Sequence, residues 1–245
     1  MKNWKHILDR LRTTINNQGI DSFHVLEELV PIEEQMEYFK YFDELIEKGR
    51  KFVPESEIEM LFSPDVTIER KKECIALLSS IPDVKAYRAL ETYQSDPLEP
   101  ELKNWSSIAL LGSRIGLDSD LSGKPQIYIS TGLGGHDKKL RFYTLFTSST
   151  REDFTDLQKQ IVEREFRFQL ESEDIDIEAF EIEKNFFTIL LLFPFKIDVR
   201  AILQSAAEEC NQYGNFLDER FLFTNVKVFS ESEIQDFLNK QQKLD

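Results

Sequence analysis

"QIYISTGLGGHDKKLRFYTLFT", Gln126 to Thr147, is where the chain changes period. Upstream of it, apolar residues recur at helical spacing. Within it they alternate, or run together with β-branched and aromatic residues, as strands do. "QIYIS" and "LRFYTLFT" read as two arms of a hairpin, with Gly132, Gly134 and Gly135 in its loop. Residues 1–120 therefore read as an α-helical domain and residues 121–245 as an α+β sandwich, with "LDSDLSGKP" (Leu117 to Pro125) as the linker.

Downstream, Thr150 with Asp153 suggests a capped helix from about Arg151. Strands follow at about Ile175 to Glu183 and Phe186 to Phe195, joined at Lys184-Asn185. Asp198 caps a helix striped by Val199, Ile202, Leu203, Ala206, Cys210 and Tyr213 and ended by Gly214. A last strand, "RFLFTNVKVF", leads to a short helix begun by Ser230 with Glu233. The order ββαββαβα predicts an antiparallel-leaning sheet with helices on one face. In "ESEDIDIEAFEIEK", Ile175, Ile177 and Ala179 alternate with Asp176 and Glu178 before Phe180 and Ile182 take the inward places, so one extra residue at Ala179-Phe180 predicts a β-bulge.

Upstream, Trp4, Ile7, Leu8, Leu11 and Ile15 share a helical face closed by Gly19. A second run opens at Pro31 and stops at Gly49, and a shorter helix spans Pro54 to Phe62. "SPDVTIERKKECIALLSSI" (Ser63 to Ile81) then overlays "DPLEPELKNWSSIALLGSR" (Asp96 to Arg114) at a shift of 33 residues, each copy reading as a long helix opened by proline. With "PDVKAYRALETYQS" between the copies, residues 63–117 resemble the HEAT-like helical repeats, particularly the short bacterial kind of the phycobilin lyases. Pro31 lies a further 33 residues before Pro64, which leaves a degenerate earlier copy open. The resemblance implies a protein-binding scaffold, for which Trp105 and Tyr93 are candidate anchors, core packing being the other reading of both.

The totals narrow the classes. Hydrophobic content of 41% with 12% aromatic excludes a disordered chain. A net charge of −15 disfavours a nucleic-acid backbone as partner. Two cysteines, Cys74 and Cys210, supply neither a disulfide framework nor a zinc site, and both lie on apolar stripes. The longest apolar run, "FFTILLLFPF", is about half the ~20 residues of a membrane span, so a cytoplasmic protein is expected.

Few residues offer chemistry. Gly132, Gly134 and Gly135 can turn backbone N–H groups toward an anion, and His136, Lys138, Lys139 and Arg141 add positive charge. The reading as a soluble hairpin turn is the stronger one, since the loop feeds a strand and matches neither nucleotide-loop spacing. The seven carboxylates between Glu171 and Glu183 read as a solvated strand face, or as a dock for a cation or a basic partner. Glu165 falls with Phe154, Leu157, Ile161 and Phe168 on an apolar helix face, where a carboxylate needs a partner or shifts its pKa. "GSRIG" (Gly112 to Gly116) reads as a helix end and is no nucleophile elbow. His6, His24 and His136 have no ligand spacing.

The expected protein is a non-enzymatic cytoplasmic adaptor with a protein partner, no cofactor, no metal and no membrane or nucleic-acid role. The alternative is a binding or catalytic module for a small phosphate-bearing anion at Gly132 to Arg141.

Overall fold

A computed structural model describes residues 23–124, 126–194 and 197–241. The expected helix through Trp4 and Ile15, with His6 and Gly19, lies outside them. Contacts divide the chain into two compact units, with the boundary between Thr131 and Gly132.

The described part of the first unit runs β1 (Phe23–Val25), α1 (Ile32–Glu47), α2 (Pro54–Leu61), α3 (Ile68–Ser79), α4 (Val84–Ser95), a 3-10 turn at Pro100–Leu102, α5 (Lys103–Ser122) and β2 (Ile127–Ile129). Glu33 and Glu34 occupy the first turn of α1, where negative charge offsets the exposed N–H groups. Pro54 opens α2 at a position that needs no N–H. Thr67 and Asp83 cap α3 and α4 by accepting from the Arg70 and Ala86 amides. The helices enclose Leu26, Leu61, Ile75, Leu90, Tyr93 and Trp105. Lys71 is fully buried on α3, a position tolerable only if its charge is met. Its Nζ lies 2.5 Å from Glu99 Oε1, and the Tyr93 hydroxyl donates to the other Glu99 oxygen at 2.5 Å.

This is not the helix-pair repeat expected. Pro64 lies in the loop before Thr67, and Pro97 precedes the 3-10 turn, so neither opens a helix. Helices α3 and α4 both have 12 residues, whereas α5 has 20. Helix α5 continues through Gly112, Gly116 and most of the expected linker, ending at Gly123 with φ 63°. "QIYIS" also departs from expectation. It supplies β2, which pairs in parallel with β1 from Phe23↔Ile127 to Val25↔Ile129.

The second unit runs β3 (Gly135–His136), β4 (Lys139–Thr147), α6 (Asp156–Glu171), β5 (Asp176–Ile182), β6 (Phe186–Pro194), α7 (Val199–Asn211), β7 (Leu222–Thr224) and α8 (Glu231–Gln241). The protein is thus α+β. Its larger sheet is antiparallel in the order β3-β4-β6-β5, with β7 also on β4. From β4 to β7 the chain follows the split β-α-β-β-α-β arrangement.

One sheet face is aromatic. Phe146 meets Phe166 of α6 at 4.9 Å and stacks on Phe187 and Phe221. Alternation places Tyr143 and Leu145 on the other face, where Ile234, Phe237 and Leu238 of α8 cover them. Helices therefore lie on both faces, not one. The N-cap of α6 is Thr155, boxed with Gln158, rather than Thr150. Its buried stripe is Ile161, Val162, Phe166 and Leu170, while Leu157 and Phe168 are exposed. The bulge in β5 falls at Glu178, between Ile177↔Leu191 and Ala179↔Leu190. It lets Ile177 and Phe180, three residues apart, both face inward.

Candidate ligand pocket and the glycine hairpin

Gly135 pairs with Leu140 and His136 with Lys139, which leaves Asp137 and Lys138 as a two-residue turn. Both have positive φ, 46° and 64°, as a type I′ turn requires. Gly132 is needed for a different reason: a Cβ there would lie 1.8 Å from the Val226 carbonyl oxygen. Gly134 takes φ 64°.

The basic side chains of this loop do not converge. Lys139 Nζ lies 3.0 Å from Asp174 Oδ1 and 2.8 Å from Asp176 Oδ2, and hydrogen bonding to Asp176 raises its pKa. Arg141 Nη2 donates to Glu178 Oε1 at 2.8 Å, and Nη1 donates to the Leu133 carbonyl at 2.7 Å. His136 Nε2 is 3.3 Å from the Asp137 carboxylate, and Lys138 is exposed. Three carboxylates of the acidic strand segment thus meet two cations of the glycine hairpin, features that the sequence presents 37 residues apart for Arg141 and Glu178.

The remaining sequence candidates have structural partners. Glu165 is half-buried and pairs with Arg164 at 2.6 Å. Burial pushes the Cys74 and Cys210 thiols up to about 12. His24 Nε2 lies 3.2 Å from Asp118. Trp105 and Tyr93, expected as possible surface anchors, are core residues. Among the described residues no group of three or more His, Cys, Asp or Glu could hold a metal. No described helix is long and apolar enough to cross a membrane.

The first unit contains a feature absent from the sequence reading, a cavity of about 310 Å³. Helix α1 contributes Tyr38, Phe39 and Phe42, α5 contributes Ile108, Leu111 and Gly112, and β2 contributes Tyr128. The rings brace one another: Tyr38 stacks on Phe42 at 6.0 Å, and Phe39 on Tyr128 at 5.8 Å. On the wall, the Tyr38 hydroxyl is 2.8 Å from Ser79 Oγ. Ser79 donates to the Ala76 carbonyl at 2.9 Å, so Tyr38 is the donor to Ser79 and both buried hydroxyls are satisfied. Burial drives the Tyr38 phenol well above its ordinary pKa. A Cβ built on Gly112 meets nothing within 4 Å, so the glycine leaves one side open. Asp43 is exposed among the lining residues and, after burial, is the second cause raising the Tyr128 pKa. No periodicity could reveal this site, because its residues come from four segments. The one local signal was a glycine inside a helix, read instead as a helix end.

A second cavity, of about 430 Å³, lies in the sheet unit beside Tyr143, Thr188, Glu181 and Phe229. Burial, reinforced by Glu181 against the Thr188 hydrogen bond, pushes the Tyr143 phenol up to about 12.

No family model matches the chain, and no curated protein matches it. Solved structures similar to part of it include a protein of Deinococcus radiodurans R1 assigned as a transposase, at 16% identity and a TM-score of 0.36, covering 44% of this chain and 94% of that one. Another is a REP-associated tyrosine transposase bound to a REP hairpin, at 11% identity and a TM-score of 0.33, covering 42% of this chain and 62% of that one. Neither neighbour is a HEAT-like or adaptor protein and one is bound to a REP hairpin, so the expected HEAT-like family, the non-enzymatic adaptor role with a protein partner and the dismissal of nucleic acid are withdrawn. The dismissal rested on net charge, which is a sum over the chain and does not describe any one surface.

Proposed function

We propose that the helical unit binds a small, largely apolar molecule in the cavity between α1, α5 and β2. The observation that carries this is an open space of about 310 Å³ walled by Tyr38, Phe39, Phe42, Ile108 and Leu111. Ligand sites are typically concave, apolar and aromatic, with a few polar groups, and span ~300–1,000 Å³. The volume is at the lower end, which favours a single-ring compound over a nucleotide. The satisfied Tyr38–Ser79 pair supports an apolar tail, because neither hydroxyl is left without a partner by it.

The test is thermal unfolding with water-soluble single-ring compounds, 2-phenylethanol among them, on the wild type and on Gly112→Leu. A ligand site gives a dose-dependent rise in Tm in the wild type. The leucine, projecting into the open side of the cavity, abolishes it. Equal shifts in both proteins, or none at millimolar concentration, would reject the proposal.

A further inference from the structure

Resting on that pocket reading, we infer that the ligand carries a cationic ammonium head group, held at the mouth by the Asp43 carboxylate against the aromatic walls. Among the described residues that line the cavity, Asp43 is the only charged one and none is basic. Asp43 makes no ion pair among the described residues, unlike the hairpin-facing carboxylates of the second unit. A ligand cation therefore does not have to displace an internal partner.

The walls suit the same charge. Phe39, Phe42 and Tyr128 line the cavity beside Asp43. Aromatic faces attract a cation within ~6 Å of their centroids, and several rings around one ammonium form a cage. Neither a neutral nor an anionic head group gains from this combination. The polar end sits at the mouth because Asp43 is exposed while the Tyr38–Ser79 end is buried. The assigned class is an arylalkylamine or a similarly small alkylammonium compound. The net charge of −15 would also concentrate such cations near the protein at low salt.

The experiment compares 2-phenylethylamine with 2-phenylethanol by isothermal titration, on the wild type, Asp43→Asn and Gly112→Leu. The amine is expected to bind wild type about tenfold more tightly than the alcohol, given one exposed ion pair plus cation–π contact. Asp43→Asn should bring the amine close to the alcohol and leave the alcohol unchanged. Gly112→Leu should remove both. Equal binding of the two compounds to wild type, or an amine indifferent to Asp43→Asn, overturns the head-group assignment and leaves the pocket standing. No binding by either compound, or binding that survives Gly112→Leu, overturns the pocket and this inference with it.

Discussion

Arg141 on β4 reaches over β6 to grip Glu178, the bulge residue of β5, with Nη2 2.8 Å from Oε1. Two strand spacings separate these residues, about 10 Å, so only a long side chain meeting a displaced partner can close the gap. Nη1 of the same guanidinium donates to the Leu133 carbonyl. One side chain thus fastens the glycine segment to the edge of the sheet.

That grip has a measurable value. Arg141 is 11% exposed and Glu178 28%, which places the pair between a surface ion pair and a buried one. Arg141→Ala should cost about 1–2 kcal/mol and Glu178→Gln less, with a coupling of about 1 kcal/mol in a double-mutant cycle. Urea unfolding of the four proteins measures it. Strict additivity would mean the pair contributes nothing beyond its parts.

Gly132→Ala should be far worse. The added methyl would lie 1.8 Å from the Val226 carbonyl oxygen, and that obstacle is backbone. A loss of about 2–4 kcal/mol is expected, the range of changes that force packed main chain apart. A variant with an unchanged urea midpoint would show that the strand end can shift freely.

Gly112→Ala should do the opposite. Helix α5 pays the entropy of a glycine at an interior position where the new Cβ meets nothing within 4 Å. A gain of about 0.5–1 kcal/mol follows from helix propensity, read as a higher Tm. The methyl narrows the cavity, so weaker binding of the single-ring compounds should accompany the gain.

Acid should loosen the first unit through Glu99. Its burial raises the carboxyl pKa, but hydrogen bonds from Lys71 and Tyr93 outweigh that, and the net shift is downward. A carboxylate with a depressed folded pKa adds stability that is fully present above its unfolded value, about 4.3. That stability is lost as pH falls through the lower folded value. Melting of wild type between pH 6 and 3 should show this decline, and Lys71→Met should show a lower Tm with a shallower slope. Parallel slopes would remove Glu99 from the account.

Much of the second unit was legible in the residues. Strands β4 and β6 are long apolar and aromatic runs, and the β5 bulge could be read within one or two residues because Ile177 and Phe180 cannot both face inward otherwise. The grip of Arg141 on Glu178 could not, since strand order decides which of many carboxylates an arginine meets. Thr150 with Asp153 matched the capping pattern, but Thr155 with Gln158 supplies the cap, and the buried stripe of α6 runs through Ile161, Val162, Phe166 and Leu170 rather than through Leu157, Glu165 and Phe168. In the first unit, Gly112 and Gly116 suggested a helix end, but packing carried α5 past them, as tertiary context overrides propensity. The three residues of β1 are too few to show a period, so the true partner of "QIYIS" was invisible. The pocket inherits that blindness, because Tyr128 reaches it from β2.

The pairing of Phe23–Val25 with Ile127–Ile129 also sets an order of events during synthesis. The five described α-helices of the unit are translated before the strand that completes its small sheet. A ribosome adding ~5–20 residues per second leaves β1 without its partner for seconds while the helices emerge. The Phe39–Tyr128 stack forms only after that wait, so the cavity acquires its last wall at the end of the unit's assembly.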